Sequence, residues 1–420
     1  MSTIKSSSED LTLDADGGSS EIKLKINNVE KASISSAGAF TSTTIDATAL
    51  TGNLPAISGA SLTGLPAAGD KRNFITDGDF TQWIGATSAT AVTHRSYTNH
   101  ALTQYRGSND GTSTVERSTD TPTVAESSHE SKYSLLMKCT GTDASITTNQ
   151  GNRLYHYITG TNYSSLHRQE FTISFWAKTA GANSGDTYYL ALQNSTDDES
   201  YVKSFTATSS WAKYTFTIPA SNAGTWLFTE DDVGLKVIIV LAAGDTNDDG
   251  TDGSWVSTGE YWDAGTAISN FMDSTSNEFY LSQLQLTLGS EAPTFTSPPI
   301  ATVQDQVQYY VEAFNFDQEG TAQIHLGTGC YVSTTQLRTH IPFNTRKRAT
   351  PSMTNSSTAD DFSIQYGASG CNVVTINGWI HANTVSAVYM TTQTPTVTGG
   401  EAGQVRIRVS GAWILADARH

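Results

Sequence analysis

Phe171-Thr-Ile-Ser-Phe-Trp-Ala-Lys sets large apolar residues against polar ones in near-perfect alternation. In an extended chain, successive side chains leave opposite faces. Phe171, Ile173 and Phe175 therefore share one face, and Trp176 takes the other. Trp211-Ala-Lys-Tyr-Thr-Phe-Thr-Ile-Pro alternates in the same way. Leu235-Lys-Val-Ile-Ile-Val-Leu is almost continuously apolar, as expected of a central strand buried on both sides. Many short runs of this kind, with no helix-period stretch of any length, predict an all-β protein.

The 420-residue chain is long enough for two or three domains. Charged residues make up 15% and aromatics 10%, a profile of a rigid folded β protein rather than a disordered chain. The net charge of −17 argues against nucleic-acid binding, which needs a basic face. It leaves neutral glycans and divalent cations open as partners. Cys139, Cys330 and Cys371 are odd in number and have no Cys-x-x-Cys spacing, so neither a zinc site nor a disulfide framework is indicated. Cys330 and Cys371 could pair; buried thiols are the favoured reading. The longest apolar run, Val237–Ala243, is too short to span a bilayer.

Nearer the N-terminus, Ile22, Leu24 and Ile26 alternate with charged residues and share one face that needs a partner. An Asp-Gly-Gly sequence at 16–18 reads as a turn. Residues 50–67 then repeat a unit. Leu50-Thr-Gly-Asn-Leu-Pro-Ala is followed by Leu62-Thr-Gly-Leu-Pro-Ala, and the stretch carries no charge. Glycine and proline exclude a helix, and so short a segment cannot bury its own leucines in a monomer. Three copies wound together would point Leu50, Leu54, Ile57, Leu62 and Leu65 at a shared axis. This repeat resembles the stem of a trimeric bacteriophage fibre, and the segment before it resembles the beginnings of phage structural proteins.

Asn73-Phe-Ile-Thr-Asp-Gly-Asp-Phe-Thr-Gln-Trp opens the next region, and Phe279-Tyr-Leu-Ser-Gln-Leu-Gln-Leu-Thr-Leu-Gly-Ser-Glu-Ala-Pro-Thr-Phe closes it. Both ends resemble a jelly-roll module found in phage tail proteins and carbohydrate-binding modules. Thr287 stands where that family usually has glutamate. After Ser297-Pro-Pro, the segment Gln308-Tyr-Tyr and the residues around Arg348 and Asp417 resemble the C-terminal β-sandwich of the same tail proteins. Gln308 replaces the family's arginine. The resemblance implies a trimeric N-terminal stem at 1–70, a jelly-roll β-sandwich at 71–300 and a second β-sandwich at 301–420.

Two stretches could carry chemistry. Asp245-Thr-Asn-Asp-Asp-Gly matches the first half of a calcium loop, with Asp245, Asn247 and Asp249 as oxygen donors. Val256 stands where the loop's closing glutamate belongs, so calcium would need backbone carbonyls or Asp252; the other reading is an acidic turn. Trp255, Tyr261 and Trp262 lie within eight residues beside Glu260 and Asp263. Such rings can stack on sugars while acidic neighbours bond hydroxyls; the alternative is that they cap the core. No nucleophile elbow, zinc-protease motif or phosphate loop is present, so no enzyme is expected. A depolymerase with carboxylates paired by the fold remains the minor alternative.

Together these readings give a homotrimeric phage virion fibre. It needs no cofactor beyond possible calcium, binds other virion proteins through its N-terminus and recognises host surface polysaccharide with its distal domains. No apolar core follows Met1 as it would in a signal peptide, which suits assembly in the host cytoplasm and release by lysis. A virion decoration without a receptor role is the rival.

Overall fold

The computed structural model describes residues 22–35, 40–42, 72–84, 88–92, 96–97, 102–107, 109–257, 259–265, 268–314, 324–358, 361–366, 370–393, 398–409 and 412–419. The repeat with Leu50, Leu54, Ile57, Leu62 and Leu65 and the Asp-Gly-Gly turn lie outside them. The chain divides into two compact units, Met1–Leu65 and Pro66–His420.

In the first unit, Ile22–Ile26, Val29–Ile34 and Phe40–Ser42 form an antiparallel sheet. The turn is Asn27-Asn28, and both residues have positive φ, the conformation that lets a two-residue loop follow the strand twist. The register places Ile22 opposite Ile34, Leu24 opposite Ala32 and Ile26 opposite Val29. One face is therefore wholly apolar at these positions, and Leu24 and Ile26 are 53% and 63% exposed on it.

The second unit holds a sandwich. One sheet has the strand order Ala212–Ile218, Phe171–Ala180, Glu278–Leu288, Ser134–Gly141, Thr112–Ser118 and Ser88–Val92. The facing sheet runs Ser254–Ser257, Glu199–Thr206, Thr187–Gln193, Val233–Ala243, Gly151–Thr159, Gln104–Gly107 and Ser96–Tyr97. Phe171, Ile173 and Phe175 are fully buried between the sheets, with Leu190, Leu192, Val237 and Ile239 in the same core. Trp176 lies half-buried on the opposite face of its strand.

The opening motif works as a clasp on the final strand. Asn73 Oδ1 accepts from the Leu286 N–H at 3.0 Å, the Phe74 N–H donates to Leu286 O at 2.9 Å, and Leu284 N–H donates to Gly78 O at 2.9 Å. A Cβ on Gly78 would sit 1.9 Å from Leu284 O, so a side chain there is excluded. Asp77 takes a positive φ, and its carboxylate accepts from the backbone of Thr81 and Gln82. The residues that carry the resemblance are thus structural.

Ile300–Tyr310 is a helix, an element the alternation did not anticipate. It starts directly after Pro298-Pro299, and Val303, Val307 and Tyr310 fall on its buried side. Beyond it, Ile324–Tyr331, Gln336–Pro342, Ser386–Gln393, Gly370–Ala382, Phe362–Tyr366 and Ala402–Ile407 close into a barrel. The β body expected at 301–420 as a sandwich is thus a sheet that meets itself, with a small sheet of Val311–Phe314, Ile414–Asp417 and Ser352–Asn355 beside it.

Two adjacent basic residues fasten the region around the helix, and the second reaches the sandwich. Buried Lys347 donates to Glu312 at 2.6 Å and to the helix carbonyl of Gln308 at 2.7 Å. Arg348 donates to the carbonyls of Ala418 and Asp231, the second in a loop of the sandwich. Cys139 is buried and free, with burial pushing its thiol up to about 11. Cys330 is also free but exposed, so neither a pair with Cys371 nor burial holds for it. No described helix is long and apolar enough to cross a membrane.

Candidate functional site

The strand Gly151–Thr159 sends Arg153, Tyr155 and Tyr157 to the face away from the sandwich core, while Leu154 and Ile158 enter that core. The strands beside it add Ile238, Val240, Tyr189 and Ala191 to the outer face; Ile238 pairs directly with Tyr155, and Tyr189 with Val240. An apolar layer results on the outside of the sheet. The segment after Ala243 folds back over it and inserts Trp262, with half-buried Tyr261, Ala264 and Ile268 around it.

That covering segment is held by polar bonds. Asn247 O accepts the Trp262 N–H at 2.7 Å, and Gln193 Nε2 donates to Tyr261 O at 2.8 Å. Asp263 is buried at the turn and accepts the Gly265 N–H at 2.8 Å. Burial pushes its carboxyl up to about 6, against the opposing pull of the Gly265 bond and with a small addition from Asp248.

Arginines interleave with the rings. Tyr155 and Tyr157 stack at 5.8 Å between centroids. The Arg106 guanidinium lies 5.0 Å from the Tyr155 ring and 5.2 Å from that of Tyr157. The Arg153 guanidinium sits 3.3 Å from the Trp262 ring centre and 5.9 Å from that of Tyr155. Each is a cation placed on a π face. Glu260 Oε1 accepts from the Trp262 indole N–H at 3.2 Å. At the side of this layer, Tyr157 and Gln104 line a small cleft of about 10 Å³, room for about one water, together with Leu102, His156, Tyr310 and Arg419.

The expected sugar-site residues separate. Tyr261 and Trp262 belong to the outer layer, and Trp262 is 6% exposed, a covering ring rather than an open platform. Trp255 packs on the inner side: its ring is 5.4 Å from Tyr201 and 5.9 Å from Trp226, and its indole N–H donates to Pro219 O at 2.7 Å. Arg106, Arg153, Tyr155 and Tyr157 are the residues the sequence reading passed over. Their signal was the alternation Arg153-Leu-Tyr-His-Tyr, which puts one arginine and two tyrosines on a single face.

The calcium candidates make the following bonds within the protein. Asp245 Oδ1 accepts from the Thr148 hydroxyl at 2.6 Å, and the Asn247 amide donates to Glu260 O. Asp249 is exposed. Asp252 accepts from Lys203 at 2.6 Å and from the Ser204 N–H at 2.7 Å. Among the described residues, no group of three or more His, Cys, Asp or Glu is gathered as a metal site.

No protein-family model and no curated protein matches the chain. Among solved structures, it is similar to the enzymatically active domain of tailspike protein 4 of bacteriophage CBA120. Identity is 9% over 52% of this chain and 21% of that one, with a TM-score of 0.28. The chain thus spans about a fifth of that tailspike domain. It is also similar to a family 61 carbohydrate-binding module in complex with β-1,4-galactotriose, at 9% identity over 52% of this chain and 99% of the module, TM-score 0.26. A CBM22-1 xylan-binding domain from Paenibacillus barcinonensis is similar at 12% identity over 49% of this chain and 98% of that one, TM-score 0.24. Scores of this size leave the all-β class to rest on the strands themselves.

Proposed function

We propose that this chain is a glycan-recognition protein of a phage virion. In this reading it is a homotrimeric fibre that attaches by its N-terminus and meets host surface polysaccharide with its β bodies. The observation that carries recognition is the outer layer of the seven-stranded sheet, where half-buried Tyr261 and Arg106 remain accessible over the buried rings of Tyr155, Tyr157 and Trp262. A sugar sets its C–H face on such rings while adjacent polar groups bond its hydroxyls. The reading contains no chemical step.

Attachment and trimerisation rest on residues 1–70. The support is the uncharged repeat at 50–67 and the one-sided apolar sheet of Ile22–Ile34. A three-stranded sheet of this size gains independent stability by packing that face. Three copies would also multiply weak single-site binding into useful avidity.

The test uses the full chain and a panel of extracted lipopolysaccharides and capsular polysaccharides. Saturable adsorption to one of them, competed by the same polysaccharide in solution, is expected. Absence of adsorption across the panel would return the protein to a virion decoration without a receptor role. Light scattering of the same sample should give the mass of three chains, and a monomer at micromolar concentration would sink the stem.

A further inference from the structure

Arg106 and Arg153 occupy directly opposed positions on adjacent antiparallel strands. Both guanidinium groups lie against the same Tyr155 ring on the outer face. Like charges at directly opposed positions destabilise a sheet. The arrangement is costlier here because Arg153 is 6% exposed and its Nε and Nη1 have no hydrogen-bond partner. Burial lowers the Arg153 guanidinium's proton affinity, with Arg106 adding to that and Tyr155 and Glu260 pulling the other way. Glu260 itself accepts the Trp262 indole N–H. Elsewhere the chain carries a large acidic excess, so this pair is a local reversal of its field.

We propose that the missing partner is the carboxylate of an acidic sugar, and that this face takes uronic-acid-type polysaccharide. The inference rests on the glycan-recognition reading and narrows its substrate class. A carboxylate set against Arg106, on the accessible side of the pair, accepts from its guanidinium fork and offsets the positive charge that Arg153 leaves without a hydrogen-bond partner beneath Trp262. It relieves the repulsion between them. Arg106 is half-buried and forms the accessible side of the pair. Arg153 lies deeper, under Trp262.

The experiment is calorimetric titration of the full chain with oligogalacturonate and with a neutral galacto-oligosaccharide of equal length. The acidic probe should bind at least about tenfold more tightly, the effect of a charge-assisted pair. Arg106→Gln should remove that preference, bringing the affinity for the acidic probe down to that for the neutral one. Arg106→Lys should restore part of it, because it returns the charge without the fork. Thermal melts of both variants confirm folding, and the lysine variant carries the test if the glutamine variant unfolds. Equal affinity for the two probes overturns the acidic class and leaves glycan recognition standing. Competition by inorganic phosphate as strong as that by galacturonate overturns the carboxylate assignment. Binding of neither probe overturns this inference, while adsorption to the polysaccharide panel decides the broader reading separately.

Discussion

The inner and outer faces of the seven-stranded sheet are both built from buried aromatic and aliphatic residues, yet they are closed differently. The inner face meets a second sheet, so Leu190, Val237 and Ile239 are locked by Phe171, Ile173 and Phe175 in one continuous core. The outer face meets a covering segment that inserts Trp262 and is pinned by bonds from Asn247, Gln193 and Asp263. A sheet cannot leave its partner without losing the whole core. A pinned segment can open at the cost of a few contacts, and low local stability of this kind is where binding surfaces are found. The outer face also carries the arginines, placed where a charge can still reach solvent at one edge.

The largest expected effect lies on the inner face. Leu190→Ala leaves a cavity in a fully buried position and should cost about 2–5 kcal/mol, measured by chemical denaturation. Trp262→Ala should cost less in global stability. Its main readout should be faster hydrogen exchange across residues 245–265, because the covering segment loses its anchor while the sandwich core stays intact. If Trp262→Ala destabilises as much as Leu190→Ala, with no local signature, the two faces are one core and the contrast fails.

A smaller effect follows from Asp263. Its carboxyl is raised from an ordinary value of 3.8 to about 6 in the folded protein. The folded state therefore binds this proton more tightly than the unfolded one, and stability from this group falls as pH rises from about 4 through 6. Asp263→Asn should raise the melting temperature by roughly 2–4 °C at pH 7.5 and leave it unchanged at pH 4. A gain of equal size at both pH values would show that the carboxyl does not titrate in that window. The smallest effect is expected from chelation. With Asp245 bonded to Thr148, Asn247 to Glu260 and Asp252 to Lys203, the melt should not move on adding a chelator. A fall on chelation would support calcium in this loop.

The clasp at Asn73–Trp83 was legible as a motif, and the structure supplies its reason in the bonds to Leu284 and Leu286. The helix Ile300–Tyr310 was hidden because valine and tyrosine at its buried positions favour strands in isolation, and its period shows over little more than two turns. Lys347 and Arg348 could be seen as a basic pair, but their acceptors come from Glu312, Ala418 and Asp231. The candidate site divided in the same way. Tyr261 and Trp262 stood out as a local cluster, and Trp255 beside them in sequence went to the other face.

By itself the sequence determined the all-β class and the face each strand residue takes, because side-chain direction in an extended chain is a local property with a period of two. It could not determine which apolar faces would be covered. Ile22, Leu24 and Ile26 alternate as cleanly as Phe171, Ile173 and Phe175, but coverage depends on what the rest of the fold, or another copy, brings to that face. Nor could it place Arg106 beside Arg153. Their opposition is fixed by the register of two strands far apart in the chain, and register is set by the sum of all contacts across the sheet.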